Sequence, residues 1–144
     1  MTTSDAPALA GIHHLKVPVT DLARSPAWYR SRLGYTVEQE FAEGGQLMGH
    51  GLAHPNGAPR LALRLDPGHA GAAAGFDYFC LGVSGEPERD AHARRLTAQN
   101  ETRAGVHRAS FGWILPAQPD PDGGEIRFYT IEQNAGPGPQ LAAA

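Results

Sequence analysis

Residues able to do chemistry alternate with other residues along three short segments of the 144-residue chain. On an extended strand alternate residues share one face, so each segment would present its polar side chains together. The groups are an imidazole, phenols, a thiol, a carboxylate and fixed cations, which suit a small aromatic or anionic organic molecule. They belong to His14, Lys16, Tyr78, Cys80, Glu125, Arg127 and Tyr129.

Within this set Arg127 is the predicted anchor for an anion or carboxylate, and Trp113 is predicted to stack on an aromatic ligand. Two plainer interpretations compete: Arg127 and Glu125 simply pair, and Trp113 is a core residue. A nucleophile–base pair of Cys80 and His14 lacks a recognisable group to orient the imidazole. The catalytic residues, if any, are therefore unknown from the sequence.

The elements that must position these residues follow one order along the chain. Ser25 as N-cap, Pro26 in the first turn and Gly34 after the last turn predict a helix over 25–33, and a second helix is predicted over 87–98. Residues 66–75 have the composition of a flexible connection, and residues 1–11 and 134–144 that of flexible ends. Strands are predicted over 12–19, 35–41, 46–54, 60–65, 76–83, 103–109, 110–117 and 125–131.

The order of elements repeats in the second half. A shift of 64 residues places 14–19 on 78–83 and Leu63 on Arg127. A repeat in pattern and element order predicts two similar modules. Two unrelated halves of an α+β domain are the alternative.

Composition limits the classes of function. A chain of this length makes one domain. Twelve basic against 15 acidic residues, with no basic cluster, exclude a nucleic-acid-binding face, and one cysteine excludes an internal disulfide or a Cys-rich zinc site. No membrane span or signal peptide is recognisable, so the expected location is the cytoplasm. Only 27 residues are Leu, Ile, Val or Phe, which predicts that a second subunit completes the core.

Two motifs carry a family resemblance. The first, HLKVPVTDL at 14–22, is followed by Ser25, Trp28-Tyr29 and Leu33-Gly34-Tyr35, and the second, DPDGGEIRF, occupies 120–128. They resemble the opening and closing segments of the vicinal oxygen chelate superfamily. This group includes glyoxalase I, extradiol dioxygenases, fosfomycin-resistance transferases and bleomycin-binding proteins. The resemblance covers about residues 12–131.

The resemblance implies an α+β fold of two βαβββ modules whose sheets form an open cup, usually within a homodimer. It implies a single domain over 12–133, with module one at 12–65, a connector at 66–75 and module two at 76–133. In metal-dependent members a divalent ion lies in the cup, and its four ligand positions map here to His14, Leu63, Tyr78 and Arg127.

This ligand set is unsuited to a metal. Leu63 offers no lone pair, the Arg127 guanidinium stays protonated, and a tyrosine such as Tyr78 is an uncommon ligand. We therefore expect no metal and no other cofactor.

The preferred hypothesis is a small-molecule-binding protein of the glyoxalase/bleomycin-resistance type, with His14, Tyr78, Arg127, Glu125 and Trp113 as ligand-binding residues. The alternative is an enzyme of the same superfamily, a lyase, isomerase or dioxygenase. It would use either a displaced metal on Glu125, His14 and a third ligand, or His14 as a metal-free general base. A third hypothesis is that the chain is a subunit or an interaction module whose cup is vestigial.

Overall fold

The computed structural model describes residues 5–77, 79–99, 106–109 and 112–131. Its strands and helices follow the same order in both halves of the chain, as the repeat predicts. The first module comprises β1 (His14–Val19), α1 (Arg24–Leu33), β2 (Thr36–Glu43), β3 (Gln46–Ala53) and β4 (Arg60–Leu65). A short helix, α2 (Pro67–Ala73), follows. The second module comprises β5 (Cys80–Val83), α3 (Glu86–Ala98), β6 (His107–Ala109), β7 (Gly112–Pro119) and β8 (Glu125–Thr130).

Each module forms a four-stranded sheet with the same topology. The strand order is β1-β4-β3-β2 in the first sheet and β5-β8-β7-β6 in the second. The first and last strands of each module run parallel, and the other neighbouring strands run antiparallel. The predicted α+β fold of two βαβββ modules is confirmed.

The alternation of buried residues decides which face of each sheet packs into the core. In β1, Val17 and Val19 are buried, and in β8, Ile126 and Phe128 are buried. Leu61 and Leu63 of β4 and Leu81 and Val83 of β5 join the same cluster. The side chains between them, including those of His14 and Lys16, lie on the opposite face, which we call the outer face of each sheet.

The start of α1 differs from the prediction. Ser25 is buried inside the helix and does not cap it. The carboxylate of Asp21 accepts hydrogen bonds from the backbone N–H groups of Ala23 and Arg24, both at 2.8 Å. These bonds, that from Arg24 first, lower the pKa of Asp21. The capping acceptor therefore comes four residues earlier than predicted, because a carboxylate can reach two free N–H groups at once.

Gly34 ends α1, as predicted, and its replacement by alanine is expected to cost about 1–2 kcal/mol of unfolding free energy. Its φ of 84° is left-handed, and its N–H bonds back to the carbonyl of Arg30. An added Cβ would lie 3.3 Å from Nε2 of His54.

Urea unfolding of Gly34→Ala measures this cost. Gly71→Ala is the matched control, because Gly71 lies within α2 with open space around it and no positive φ. Equal effects of the two substitutions would show that neither backbone strain nor the His54 contact matters.

Residues 67–73 form a helix, so the prediction of a flexible connection over 66–75 was wrong. The Asp66 side chain caps α2 by accepting from the backbone N–H of His69 at 3.1 Å, and Pro67 occupies the first turn. A capped first turn and a run of alanines outweigh the glycines that suggested flexibility.

A buried hydrogen-bond network joins the two modules. The Tyr29 hydroxyl of α1 donates to the Asp120 carboxylate at 2.8 Å, and both residues are buried. Nearby, Asp122 accepts from the backbone N–H of Thr20 at 3.2 Å and pairs with Arg24 at 3.3 Å. The turn before β8 is thereby attached to the end of β1 and the start of α1.

His92 of α3 packs on the core and makes stability depend on pH. Its ring stacks on Phe128 with centroids 4.8 Å apart, and burial lowers its pKa below the usual 6.5. Because the pKa of His92 is lower in the folded chain, the unfolded chain takes up this proton at a higher pH. The contribution of His92 to the free energy of unfolding is therefore fully present above pH 6.5 and is lost as the pH falls below it. We expect the slope of unfolding free energy against pH, between about pH 7 and 5.5, to be shallower in His92→Gln. An equal slope in His92→Gln and in the exposed control His13→Gln would contradict this.

Candidate functional site

The outer face of the first sheet has small residues at its centre. Register places Lys16 of β1 beside Ala62 of β4, and Ala62 beside Gly51 of β3. The next row runs from Pro18 to Arg64 and then to a second glycine, Gly49. Lys16 and Arg64 thus lie in neighbouring rows of the outer face. The glycines beside them are not open, because the Phe41 ring would lie 3.5 Å from a Cβ at Gly51, and a Cβ at Gly49 would lie 2.7 Å from the carbonyl oxygen of Leu63.

Helix α2 covers one side of this face and turns it into a groove. The groove is shallow and widely open to solvent, with a volume of about 580 Å³; small-molecule sites usually measure about 300–1,000 Å³. Its lining residues are Lys16, Pro18, Arg64, Asp66, His69, Ala72 and Ala73. The sequence prediction missed the α2 wall because it treated 66–75 as flexible; the Asp66-Pro67 cap was the available signal.

The groove and its rim carry two cations, Lys16 and Arg64, and two carboxylates, Glu43 and Asp66. Arg64 donates to both carboxylate oxygens of Glu43, at 2.7 and 3.2 Å, which lowers the pKa of Glu43. Asp66 pairs with the His69 ring at 2.7 Å, and hydrogen bonds from His69, first from its backbone, lower the pKa of Asp66. Lys16 is exposed and makes no hydrogen bond or close ion pair with any residue the structure describes, but it lies near enough to Glu43 to contribute to the lowered pKa of that carboxyl.

The outer face of the second sheet carries Arg127 between two carboxylates. Nε of Arg127 lies 3.0 Å from Asp77, and Nη2 lies 3.8 Å from Glu125. The Nε–H is not aligned for a hydrogen bond to Asp77, so this contact is an ion pair without one. The plainer prediction, that Arg127 and Glu125 pair, agrees with this geometry, and Asp77 was not foreseen as a partner.

Cys80 lies beside this cluster and is not activated as a nucleophile. Burial raises the pKa of its thiol, Asp77 raises it further, and Arg127 opposes the shift. The thiol therefore stays protonated at neutral pH, and a nucleophilic thiolate is disfavoured.

The predicted ligand-binding residues are only partly brought together. Arg127 and Glu125 are neighbours, whereas the described hydrogen-bonding partner of His14 is His13, with Nδ1 atoms 2.9 Å apart. Tyr78 lies outside the described residues. Trp113 belongs to β7, where it is paired with Arg108, but its side chain lies outside the described part of the structure.

The mapping of Leu63 onto one of the four ligand positions of the cup was wrong. Leu63 is 1 % exposed and lies beside Val17 on the core face. Lys16 is opposite Ala62 in the same way that Cys80 is opposite Arg127, so Ala62 is the counterpart of Arg127. A shift of one residue moves a side chain to the other face of a sheet.

The corrected positions do not fit a divalent ion. Ala62 has no donor atom, and Arg127 is a cation that already pairs with two carboxylates. Within the described ranges no three His, Cys, Asp or Glu side chains converge as a metal-binding group. A metal ion needs several such donors converging at about 2.0–2.6 Å.

Comparison with known families decides the relationship. The model of the Glyoxalase/Bleomycin resistance protein/Dioxygenase superfamily matches residues 11–128. The chain belongs to this superfamily. The predicted family resemblance is therefore confirmed, over nearly the same residues.

Solved structures of the superfamily share the fold at low sequence identity. A lactoylglutathione lyase from Agrobacterium tumefaciens is 19% identical, with a TM-score of 0.66, and the alignment covers 87% of this chain and 96% of that one. TnmS3, an antibiotic binding protein from Streptomyces sp. CB03234, is 21% identical with a TM-score of 0.64, covering 87% and 98%. A bleomycin resistance determinant encoded on the transposon Tn5 is 22% identical with a TM-score of 0.57, covering 81% and 94%.

Two further observations bear on the class of protein. No protein of curated function matches the sequence significantly. Among the described helices, none has the length and hydropathy required to cross a bilayer.

Proposed function

We propose that this chain binds a small organic molecule with an anionic group, in the groove between α2 and the outer face of the first sheet. The observation that carries the proposal is Lys16, a cation without a described ion-pair partner in a groove of about 580 Å³. An anionic group would give Lys16 a charge-assisted hydrogen bond, and Ala72, Ala73 and Pro18 would contact the apolar body of the ligand.

Lys16 takes the anchoring role first predicted for Arg127. Arg127 already faces Asp77 and Glu125, so a ligand carboxylate would have to displace a neighbour. The roles predicted for His14, Tyr78 and Trp113 stay predictions. These residues would contribute to binding only if the ligand extends beyond the groove.

Binding without the family's metal is part of the proposal. It is supported by the lack of a donor at Ala62 and by the cation at Arg127. The enzyme alternative with a displaced metal gains no support, because Glu125 is 3.8 Å from Arg127 and His14 contacts His13. Two structural relatives are named for antibiotic binding and for bleomycin resistance, which supports a binding role for the fold.

Equilibrium titration with 1-naphthoate, an aromatic carboxylate, tests the proposal. Protein treated with EDTA is expected to bind it saturably at one site per chain, and 1-naphthalenemethanol, which lacks the charge, is expected to bind more weakly. Binding that requires added Zn²⁺, Mn²⁺ or Ni²⁺, or equal binding of the two probes, would contradict the proposal.

We further propose that the chain is a homodimer. Every residue of β2 is exposed, and its Val37 and Phe41 side chains are 48 % and 42 % exposed. Exposed apolar residues on an edge strand are typical of a surface that a second chain covers. A monomeric mass in light scattering would contradict this proposal.

A further inference from the structure

A second cavity lies between the two modules, away from the outer-face groove. It encloses about 470 Å³, which is also within the range of about 300–1,000 Å³ for ligand sites. Its apolar walls come from Leu33 at the end of α1 and from the buried side chains of Leu81, Val83 and Phe128. Because these strand residues face the core, the cavity lies on the opposite side of the second sheet from Arg127.

Hydrogen bonds fix the wall that the first module supplies. Nε2 of His54 donates to the carbonyl of Leu33 at 2.7 Å, and its Nδ1 accepts from the backbone N–H of Asn56 at 3.2 Å. The Tyr35 hydroxyl donates to the carbonyl of Pro59 at 2.9 Å. A proton on Nε2 lets the His54 ring make both of its bonds, so this part of the cavity is formed before any ligand binds.

The charge at this cavity is opposite to that of the groove. Glu88, in the first turn of α3, lines the cavity, is exposed and makes no ion pair with any described residue. No lysine or arginine is among the described lining residues. His92 also lines the cavity, and its lowered pKa, caused mainly by burial, keeps the ring neutral at pH 7. A cationic group would therefore meet one carboxylate without a described ion pair and no cation among the described lining residues, while Arg95 lies outside the lining, near enough to His92 to contribute to its lowered pKa.

We propose that this cavity is a second binding site, for a small aromatic amine. The aromatic ring would lie among Leu33, Leu81 and Phe128, and the ammonium would pair with Glu88 at the rim. The proposal goes beyond the proposed function, because the site, its elements and the charge of its ligand all differ from those of the groove.

Titration of ¹⁵N-labelled protein with 1-naphthylmethylamine tests this site. We expect saturable shifts of the backbone N–H signals of Gly57, Gly82 and His92, and no such shifts with 1-naphthoate. Glu88→Gln is expected to weaken amine binding about fivefold. Glu40→Gln, which removes an exposed carboxylate from β2, is the control and is expected to leave the affinity for the amine unchanged.

Three results would overturn the second site: no shift at those three residues, equal shifts with the amine and the acid, or unchanged affinity in Glu88→Gln. The outcome is independent of the proposed function. Lys16→Gln is expected to leave amine binding intact, so loss of naphthoate binding and loss of amine binding can be distinguished in the same samples.

Discussion

Asp120→Ala is expected to lower the free energy of unfolding by about 3–5 kcal/mol. The carboxylate is buried and accepts from the Tyr29 hydroxyl at 2.8 Å and from the backbone N–H groups of Asp122 and Gly124, each at 2.9 Å. Removing it leaves three donors without their acceptor, and the Tyr29 hydroxyl has no access to water. Urea denaturation followed by far-UV circular dichroism measures the effect.

Two related variants separate the contributions. Tyr29→Phe removes the Tyr29–Asp120 bond, which is one of several contacts between the modules, and is expected to cost about 1.5–3 kcal/mol. Asp120→Asn retains a carbonyl oxygen for the two backbone donors and removes a charge whose burial raises the pKa of Asp120. It is therefore expected to cost less than Asp120→Ala. A loss below about 1 kcal/mol in Asp120→Ala would show that this network does not hold the modules together.

Lys16→Gln is expected to weaken 1-naphthoate binding about tenfold, which corresponds to the lower end of the range of about 1.5–3 kcal/mol for a hydrogen bond between charged groups, because Lys16 is exposed. Lys16→Glu adds repulsion of the ligand carboxylate and is expected to weaken binding further. Isothermal titration calorimetry measures both. Glutamine keeps most of the length of the side chain, so the change reports mainly the loss of charge.

Arg94→Gln is the matched control for Lys16. Arg94 is exposed on α3, outside the groove, and its removal changes the net charge by the same amount. If Arg94→Gln and Lys16→Gln weaken binding equally, attraction by overall charge rather than a contact at Lys16 is responsible.

Much of the fold could be predicted because strand alternation is strong in this sequence. Val17 and Val19 in β1, and Ile126 and Phe128 in β8, identify the core face, and the predicted strand 60–65 is observed as β4 (Arg60–Leu65). The left-handed glycine at Gly34 identifies the end of α1. These features depend on local sequence and on burial alone.

The site was harder to predict because it depends on register and on one short helix. The 64-residue shift aligned Leu63 with Arg127, but pairing with β1 puts Ala62 on the outer face. In a six-residue strand with leucine at alternate positions, a one-residue error exchanges core and ligand face. Helix α2 has an unfavourable glycine content, and it depends on one capping carboxylate, that of Asp66. Its position beside β1 is seen only in the folded chain.

The central claim is that an anionic ligand binds at Lys16 without a metal ion. The most direct measurement is a ¹⁵N–¹H spectrum of EDTA-treated protein titrated with 1-naphthoate. The predicted result is a set of shifts at Lys16, Arg64, Ala72 and Ala73 that saturates at one equivalent. Shifts confined to residues around Arg127, or shifts that develop only after a divalent metal is added, would contradict it.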